Sequence, residues 1–245
     1  MVWRQRLFLL FSLFCLVPSV GDASDFARLL EDGRIERSDG SIIRLAAIRI
    51  VEQKGLHRKA FALINQRLKQ PEWVLSEPIV RDRYGNEVGM IDLGTGQTLQ
   101  HLLIEQGLAR VYPQADEGGD LTELLKAETQ ARAQKIGLWK LKTYRVITAE
   151  EAIPQRFDLR NYYQLVTGQV LAVAKVRGNI YLNFGEDWRE DFTIMIPKPF
   201  AKSVAAQGLN YKDLEGKQVR VRGWFRLYGG PLIDVTDARQ IEVLD

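Results

Sequence analysis

The chain is poor in the residues that build disulfide frameworks and metal centres. Its 245 residues include one cysteine, Cys15, and two histidines, His57 and His101. A single cysteine excludes an intrachain disulfide and a zinc site made of several thiolates. Two histidines are too few for a hydrolase centre that holds zinc with several imidazoles. Ser-His-Asp chemistry is not excluded by these counts, but nothing in the sequence resembles a nucleophile elbow.

Blocks of like charge are also missing. The chain has 34 lysines and arginines against 31 acidic residues, which gives a formal net charge of +3. A protein held to nucleic acid mainly through phosphates is expected to be more strongly basic. Any nucleic-acid binding is therefore expected to depend on a local patch. The hydrophobic fraction of 46% is typical of a globular chain, and the length suits one large domain or two small ones.

Residues 1–23 are predicted to form a secretory signal peptide. Arg4 and Arg6 precede an almost unbroken apolar run at 7–17, and Gly21-Asp22-Ala23 offers small residues for cleavage. The apolar run is short for a bilayer span, so an uncleaved anchor is the lesser alternative. We therefore expect an exported protein, periplasmic or secreted, with no transmembrane segment after cleavage.

The first half of the chain alternates strand and helix patterns. Thr98 is a residue type that caps helix N-termini, and Gly107 is typical of the position after a helix end. The predicted strands lie near residue 35 and at 41–50, 74–80 and 88–92, and the predicted helices at 56–68, 98–107 and 121–135.

The second half changes to a period of two, which is typical of strands. Residues 143–159, with Pro154 among them, are predicted to be a connector. The predicted strands lie at 170–176, 180–184, 192–196, 218–226 and 232–235, with one helix at 199–207. Three strands, a helix and two strands is the element order of an OB fold. Residues 160–245 are therefore predicted to form an OB-like β-barrel.

Four segments in order resemble the staphylococcal nuclease (thermonuclease) family, over about residues 30–140. They are the strand 43–48, the turn 81–85 (Arg-Asp-Arg-Tyr-Gly), the helix-to-strand passage 102–111, and a last helix that closes at Gly137-Leu138-Trp139. The resemblance implies a five-stranded OB barrel with three helices at 24–142. The fold class expected for the whole chain is mainly β with helices (α+β), with the second, smaller OB-like barrel following.

The same resemblance implies calcium-dependent phosphodiester hydrolysis, with Arg44 as one catalytic arginine and Glu52 as the general base. The family's two calcium aspartates correspond to Arg34 and Arg49 in this chain, and its second arginine corresponds to Asn86. Two cations in place of two anions repel a divalent cation. We therefore expect a degenerate site with no metal ligand and no cofactor. In the alternative, an active nuclease uses Arg44 and Glu52 in a rearranged or metal-independent site, and only then is calcium expected.

The strand predicted at 218–226 alternates apolar residues with basic and aromatic ones, so one face is predicted to be basic. Such a face can hold single strands by base stacking and phosphate contacts. An ordinary solvated face, or a face on which Trp224 docks onto the first domain, remains open. The candidate nucleic-acid-binding residues are Tyr84, Tyr181, Arg220, Arg222, Trp224 and Arg226. The expected partner is single-stranded nucleic acid or an envelope protein, and a purely structural envelope role is the third alternative.

Overall fold

The computed structural model describes residues 26–70, 73–115, 117 and 119–244, without the side chains of 77 and 78. The predicted signal peptide lies outside these residues. None of the helices within these ranges is long and apolar enough to cross a membrane. The chain is mainly β with several helices, as predicted.

The first unit contains a five-stranded sheet, a two-stranded ladder and three helices. Its strands are β1 (Phe26–Leu29), β2 (Ile35–Arg37), β3 (Ile42–Leu45), β4 (Ile48–Ile50), β5 (Val74–Arg81), β6 (Glu87–Asp92) and β7 (Ala109–Val111). Its helices are α1 (Lys54–Leu68), α2 (Leu99–Glu105) and α3 (Thr122–Ala133). The sheet order is β1-β2-β3-β6-β5 with β3 and β6 parallel, and β4 pairs with β7.

The second unit begins after two short 3-10 helices, Gly137–Lys140 and Lys142–Tyr144. Its strands are β8 (Ile147–Thr148), β9 (Tyr163–Gln169), β10 (Ala172–Val176), β11 (Asn179–Asn183), β12 (Thr193–Ile196), β13 (Gln218–Tyr228), β14 (Gly230–Asp234) and β15 (Ile241–Leu244). Its helices are α4 (Ala149–Ala152) and α5 (Ala201–Ala206), with 3-10 turns at Tyr211–Leu214 and Ala238–Gln240.

The second sheet has the connectivity expected of an OB fold. Its order is β10-β11-β12-β14-β13-β9-β8, with β15 added beside β13 and with β12 and β14 parallel. The hydrogen-bonded ladder is not closed. The end strand β10 follows β9 with only Val170 and Leu171 between them, and β9 lies next to the other end strand, β8. This arrangement curls the sheet towards a barrel.

Local signals explain the ends of α2. The Thr98 side chain accepts a hydrogen bond from the His101 backbone N–H, as a helix N-cap does. After the helix, Gly107 has a φ of +59°, and a Cβ at this position would collide with the Ile136 backbone. Glycine is therefore needed both for the left-handed turn and for the close approach of the chain after α3.

One predicted strand is divided in the structure, and one long strand was not predicted. The strand predicted at 41–50 is broken into β3 and β4 at Ala47, which has a φ of +61°. Strand β9 was not predicted, because both of its faces are buried and its sequence does not alternate. Tyr163 and Leu165 pack between the two units, while Val166 packs into the second core.

The segment predicted as a connector is partly built into the second sheet. Ile147 and Thr148 pair in parallel with β9, and Thr148 and Glu151 form a capping box at the start of α4. Ile147, Ala149 and Ala152 are buried in the second core. A separate buried cluster then joins the two units; its members are Val51, Ala131, Leu138, Trp139, Tyr163 and Leu165.

Candidate functional site

An open cleft of about 1250 Å³ lies on the first unit, at the ends of β3 and β4. Arg44 and Glu52, the two predicted catalytic residues, both line it, and so does Tyr84 from the turn between β5 and β6. The fold thus brings together residues that are far apart in sequence. The other polar side chains of the cleft are Asp32, Arg34, Arg49, His57, Asp82, Arg83, Asn86, Tyr112 and Gln114.

Arg44 is held by a buried carboxylate that the sequence analysis missed. Its Nη1 lies 2.6 Å from Oε1 of Glu117, whose side chain is 1% exposed. The other oxygen of Glu117 accepts a 2.6 Å hydrogen bond from the backbone N–H of Ala47, the residue that breaks the strand. Arg44 Nε also lies 3.7 Å from Asp82 Oδ2. No local signal marks Glu117, because it meets Arg44 from 73 positions along the chain.

Asp82 organises the turn that carries Tyr84. Its Oδ1 accepts hydrogen bonds from the backbone N–H groups of Tyr84 (2.9 Å) and Asn86 (3.0 Å), and its Oδ2 accepts one from the Asn86 side chain (2.9 Å). Partial burial opposes ionisation, but these hydrogen bonds and Arg44 outweigh it and lower the pKa of Asp82. Asn86 is itself 7% exposed, so its amide stabilises the turn.

The predicted general base, Glu52, forms an ion pair with Arg49. The Arg49 guanidinium also stacks over the indole ring of Trp224, 4.7 Å from its centroid. Trp224 belongs to the second unit, and its Nε1–H donates a 3.0 Å hydrogen bond to the Tyr112 hydroxyl. Arg49 is therefore fixed between Glu52 and the second unit, at the position where the family resemblance places a metal-binding aspartate.

The cleft does not offer the ligand set of a calcium ion. Asp32 is paired with Arg34 at 2.7 Å, Glu52 with Arg49, and Glu117 with Arg44, while Asp82 accepts three hydrogen bonds from the turn. Calcium takes six to eight oxygen ligands. Within the part of the chain that the structure describes, no cluster of three or more histidine, cysteine or acidic residues is suited to a metal. The residues present do not fit calcium.

The predicted basic face of β13 is turned towards the first unit, and the prediction for Arg222 was wrong. Arg222 is completely buried, so it cannot contact a nucleic acid. Its Nη1 lies 2.8 Å from Oε2 of the buried Glu128 on α3, without the alignment of a hydrogen bond, and its Nη2 donates a 2.5 Å hydrogen bond to Glu242. Burial alone would lower the pKa of Arg222, but these carboxylates and Tyr163 outweigh it and raise the pKa.

The other candidates on this strand are also engaged. Arg220 Nη1 lies 3.2 Å from Glu242, and Arg226 Nε lies 2.5 Å from Asp234. Trp224 is 40% exposed and contacts the first unit as described above. Of the two tyrosines, Tyr84 is 72% exposed at the cleft, whereas Tyr181 lines a different pocket on the second unit.

The second unit also holds the segment that carries Glu117. Arg239 Nη1 donates to the Gly119 carbonyl at 2.7 Å, and its Nη2 donates to the Gln114 carbonyl at 3.1 Å. Nearby, Arg110 of β7 donates a 2.6 Å hydrogen bond to the Tyr163 carbonyl, and the Tyr163 hydroxyl donates to the Val111 carbonyl at 3.0 Å. The cleft is therefore built by the first unit and supported by the second.

Topology and cleft together define an OB-type domain with a polar, arginine-rich site. Residues 43–141 match the family model described as staphylococcal nuclease homologue. The chain thus contains a staphylococcal nuclease homologue domain, which confirms the resemblance seen in the sequence and indicates a nuclease-like or nucleic-acid-binding function. A search of the curated proteins finds no match to the chain.

Proposed function

We propose that this protein is an exported nucleic-acid-binding protein whose nuclease-like cleft does not catalyse calcium-dependent hydrolysis. One observation carries this proposal: Glu52, the expected general base, is ion-paired with Arg49. The pair neutralises the base and puts a cation where the resemblance expects a calcium ligand. Arg34, at the other expected aspartate position, is likewise paired with Asp32.

The rim of the cleft suits a phosphate chain and its bases. Arg83 stacks over the Tyr84 ring at 4.7 Å from its centroid, and this ring is 72% exposed. An exposed ring beside a guanidinium can stack on an unpaired base while the cation attracts a phosphate. Asp82 fixes the backbone of this turn, so the ring is presented from an ordered support.

The alternative is a nuclease that uses Arg44 and Glu52 without calcium, and both residues do line the same cleft. In this case Glu52 would have to release Arg49 before it could accept a proton from water. Arg44 would have to keep a free N–H for the phosphate while Glu117 holds its Nη1. Activity that persists in chelator would favour this alternative.

Hydrolysis and binding measured on one sample test the proposal. A fluorescently labelled single-stranded DNA oligonucleotide is incubated with the purified protein, first with calcium and then with chelator. We expect an intact oligonucleotide in both and a rise in anisotropy that falls with added salt. Calcium-stimulated cleavage that is lost in Glu52→Gln but kept in Glu123→Gln, an exposed glutamate on α3, would overturn the proposal.

Export has its own measurement. If residues 1–23 are a signal peptide, the protein recovered from the periplasm or the medium of an expressing bacterium should begin at Ser24. Intact mass spectrometry of the exported fraction tests this directly. A protein that stays with the cytoplasm and keeps Met1 would contradict the export part of the proposal and leave the binding part in place.

A further inference from the structure

The second barrel carries a pocket of about 450 Å³ that is separate from the cleft. This volume lies in the range of about 300–1,000 Å³ that is typical of ligand sites. Its walls come from the β10–β11 hairpin, the outer faces of β11 and β12, and the turn between β13 and β14. We call it the aromatic pocket; its lining residues with polar or aromatic side chains are Arg177, Asn179, Tyr181, Asn183, Trp188, Thr193 and Tyr228.

Three aromatic rings line this pocket, and two of them are unusually exposed. Trp188 is 52% exposed and Tyr228 is 64% exposed, while Tyr181 is half-buried on β11. Solvent-exposed rings of this size leave a large apolar area in water. Their convergence on one concavity is the pattern expected of a stacking site for a flat ligand.

The loop that presents Trp188 is held in place by its own hydrogen bonds. The Asp187 backbone N–H donates to the Asp191 side chain at 2.9 Å, and the Asp187 carbonyl accepts from the N–H groups of Glu190 (2.9 Å) and Asp191 (2.8 Å). The loop also packs on the β13–β14 turn, where a Cβ at Gly230 would lie 2.6 Å from the Asp191 carbonyl. The backbone that carries Trp188 is therefore ordered, which lowers the entropy cost of binding.

The hairpin turn at the mouth of the pocket contains a residue that does not suit it. Arg177 has a φ of +51° and is followed by Gly178 with a φ of +91°. Asparagine or glycine is preferred at the first of two such positions, and an arginine there is strained by about 1–3 kcal/mol. The strained Arg177 is exposed, and it is the only charged residue among the described residues that line the pocket.

We propose that the aromatic pocket binds unpaired bases of single-stranded nucleic acid, with Trp188 and Tyr228 stacking on bases and Arg177 contacting a phosphate. This inference rests on the proposed function and adds a second binding site to it. The cationic side of the pocket extends beyond Arg177, because Lys198 packs against Gly178 and Arg189 stacks over the Trp188 ring at 4.6 Å. These cations favour a phosphate-bearing ligand over a neutral oligosaccharide.

Acidic residues near the pocket limit how much phosphates contribute. Glu186 and Glu190 are exposed on the Trp188 loop and oppose the neighbouring cations. Stacking must therefore supply most of the affinity, and the salt dependence should be shallow. A shallow salt dependence together with affinity from stacking would distinguish the aromatic pocket from a groove that binds mainly through charge.

Anisotropy titration of the full-length protein with a labelled oligo(dT) tests the site. We expect Trp188→Ala and Tyr228→Ala each to raise the Kd about tenfold, as the loss of one stacked base does. Phe157→Ala is the matched control, because Phe157 is 69% exposed with Arg156 over its ring at 4.9 Å but does not line the pocket. Thermal unfolding of each variant checks that its fold is unchanged.

Arg177→Gly removes the proposed phosphate contact and places in the turn a residue that is compatible with its positive φ. Glycine adopts a positive φ without strain, so the fold should be kept. We expect weaker binding and a decrease of about 0.7 in the slope of log K against log salt concentration, the value for one lost contact to a single strand. An unchanged slope would overturn the assignment of Arg177.

The remaining outcomes separate this inference from the proposed function. If Tyr84→Ala weakens oligo(dT) binding and the aromatic-pocket variants do not, the cleft binds nucleic acid and the inference is wrong. If only Trp188→Ala and Tyr228→Ala weaken it, the inference holds and the cleft is not the binding site. Binding of a neutral oligosaccharide that quenches Trp188 fluorescence, with no effect of oligo(dT), would also overturn the inference.

Discussion

Arg34 and Arg49 of the cleft and Arg222 of β13 all pair with carboxylates, but these carboxylates differ in how far they are exposed to water. Arg34 and Arg49 lie at the cleft, where their carboxylate partners are partly exposed; the side chains of Asp32 and Glu52 are 53% and 66% exposed. Arg222 on β13 meets Glu128, which is fully buried. The arginine itself does not distinguish the cleft pairs from the β13 pair. Burial of the partner does, because a buried carboxylate holds its cation far more tightly than a hydrated one.

This difference assigns the groups to different tasks. Arg222 joins the units through Glu128, whereas Arg34 and Arg49 pair with exposed carboxylates, where a phosphate can compete for them. The following predictions test the contrast by removing one partner at a time.

Arg222→Ala should have the largest effect on stability. It leaves the buried Glu128 without its closest cation, and breaking a buried pair in this way costs about 3–5 kcal/mol of unfolding free energy. Urea unfolding followed by tryptophan fluorescence measures the change. Arg34→Gln is the control from the cleft and should cost no more than about 1 kcal/mol.

A matched double variant sharpens the same test. Arg222→Met with Glu128→Gln removes both charges of this buried pair, and Gln keeps an oxygen for the Val111 N–H, which donates to Glu128 at 2.8 Å. We expect this double variant to recover part of the stability lost in Arg222→Ala. Equal losses in Arg222→Ala and Arg34→Gln would contradict the proposed contrast.

Arg239→Ala should have the next largest effect, because it releases the segment that carries Glu117. The variant loses the hydrogen bonds to the Gly119 and Gln114 carbonyls and leaves the buried Asp237 without its arginine. Hydrogen bonds of charged donors contribute about 1.5–3 kcal/mol. We expect a lower unfolding free energy and faster proteolysis within residues 112–120.

Arg239→Lys serves as the comparison for this prediction. Lysine keeps the charge beside Asp237 but has no planar fork that reaches both carbonyls. Compared with Arg239→Ala, Arg239→Lys should regain most of the lost unfolding free energy but a smaller part of the lost resistance to protease. If Arg239→Ala leaves the cleavage pattern unchanged, the second unit does not support the cleft segment.

The sequence predicted elements that depend on local signals. The helix capped by Thr98 and the strands of period two in the second half follow from residue type and periodicity, and both are observed. Strand β9 could not be predicted in this way, since it is buried on one face by its own barrel and on the other by the first unit. Periodicity detects a strand only when one of its faces is polar.

The same limit applies to the site. Arg44 and Glu52 line one cleft, and both were chosen through the family resemblance. The sequence could not reveal Glu117 or the burial of Arg222, which depend on partners brought in by other elements. Alternation along β13 separated two faces correctly but did not show that the basic face packs on α3.

Acid should destabilise the protein through Glu242, which pairs with Arg220 and Arg222 within the second unit. Partial burial raises the pKa of this carboxyl, but Arg222 and Arg220 outweigh burial, so the pKa in the folded state lies below the ordinary value of 4.5. The stabilisation is therefore complete above pH 4.5 and is lost as the pH falls through the lowered pKa. Unfolding free energies measured from pH 7 to pH 3 should decrease more steeply in the natural protein than in Glu242→Gln. Parallel curves would contradict this role.

Arg49→Gln should have the smallest effect, because its two interactions are of the weaker kind. The stacking on Trp224 at 4.7 Å contributes about 0.5–1 kcal/mol, and the pair with the exposed Glu52 contributes about 0–1 kcal/mol. We expect a small loss in unfolding free energy and a shift of Trp224 fluorescence. For Arg49→Lys, both values should lie between those of the natural protein and those of Arg49→Gln. Freeing Glu52 in this way should not produce calcium-dependent hydrolysis, because Asp32 stays paired with Arg34 and one freed carboxylate cannot supply the six to eight oxygen ligands of calcium. Hydrolysis that begins in Arg49→Gln would mean that this one pair keeps the cleft inactive, and the cleft would then be an inhibited active site.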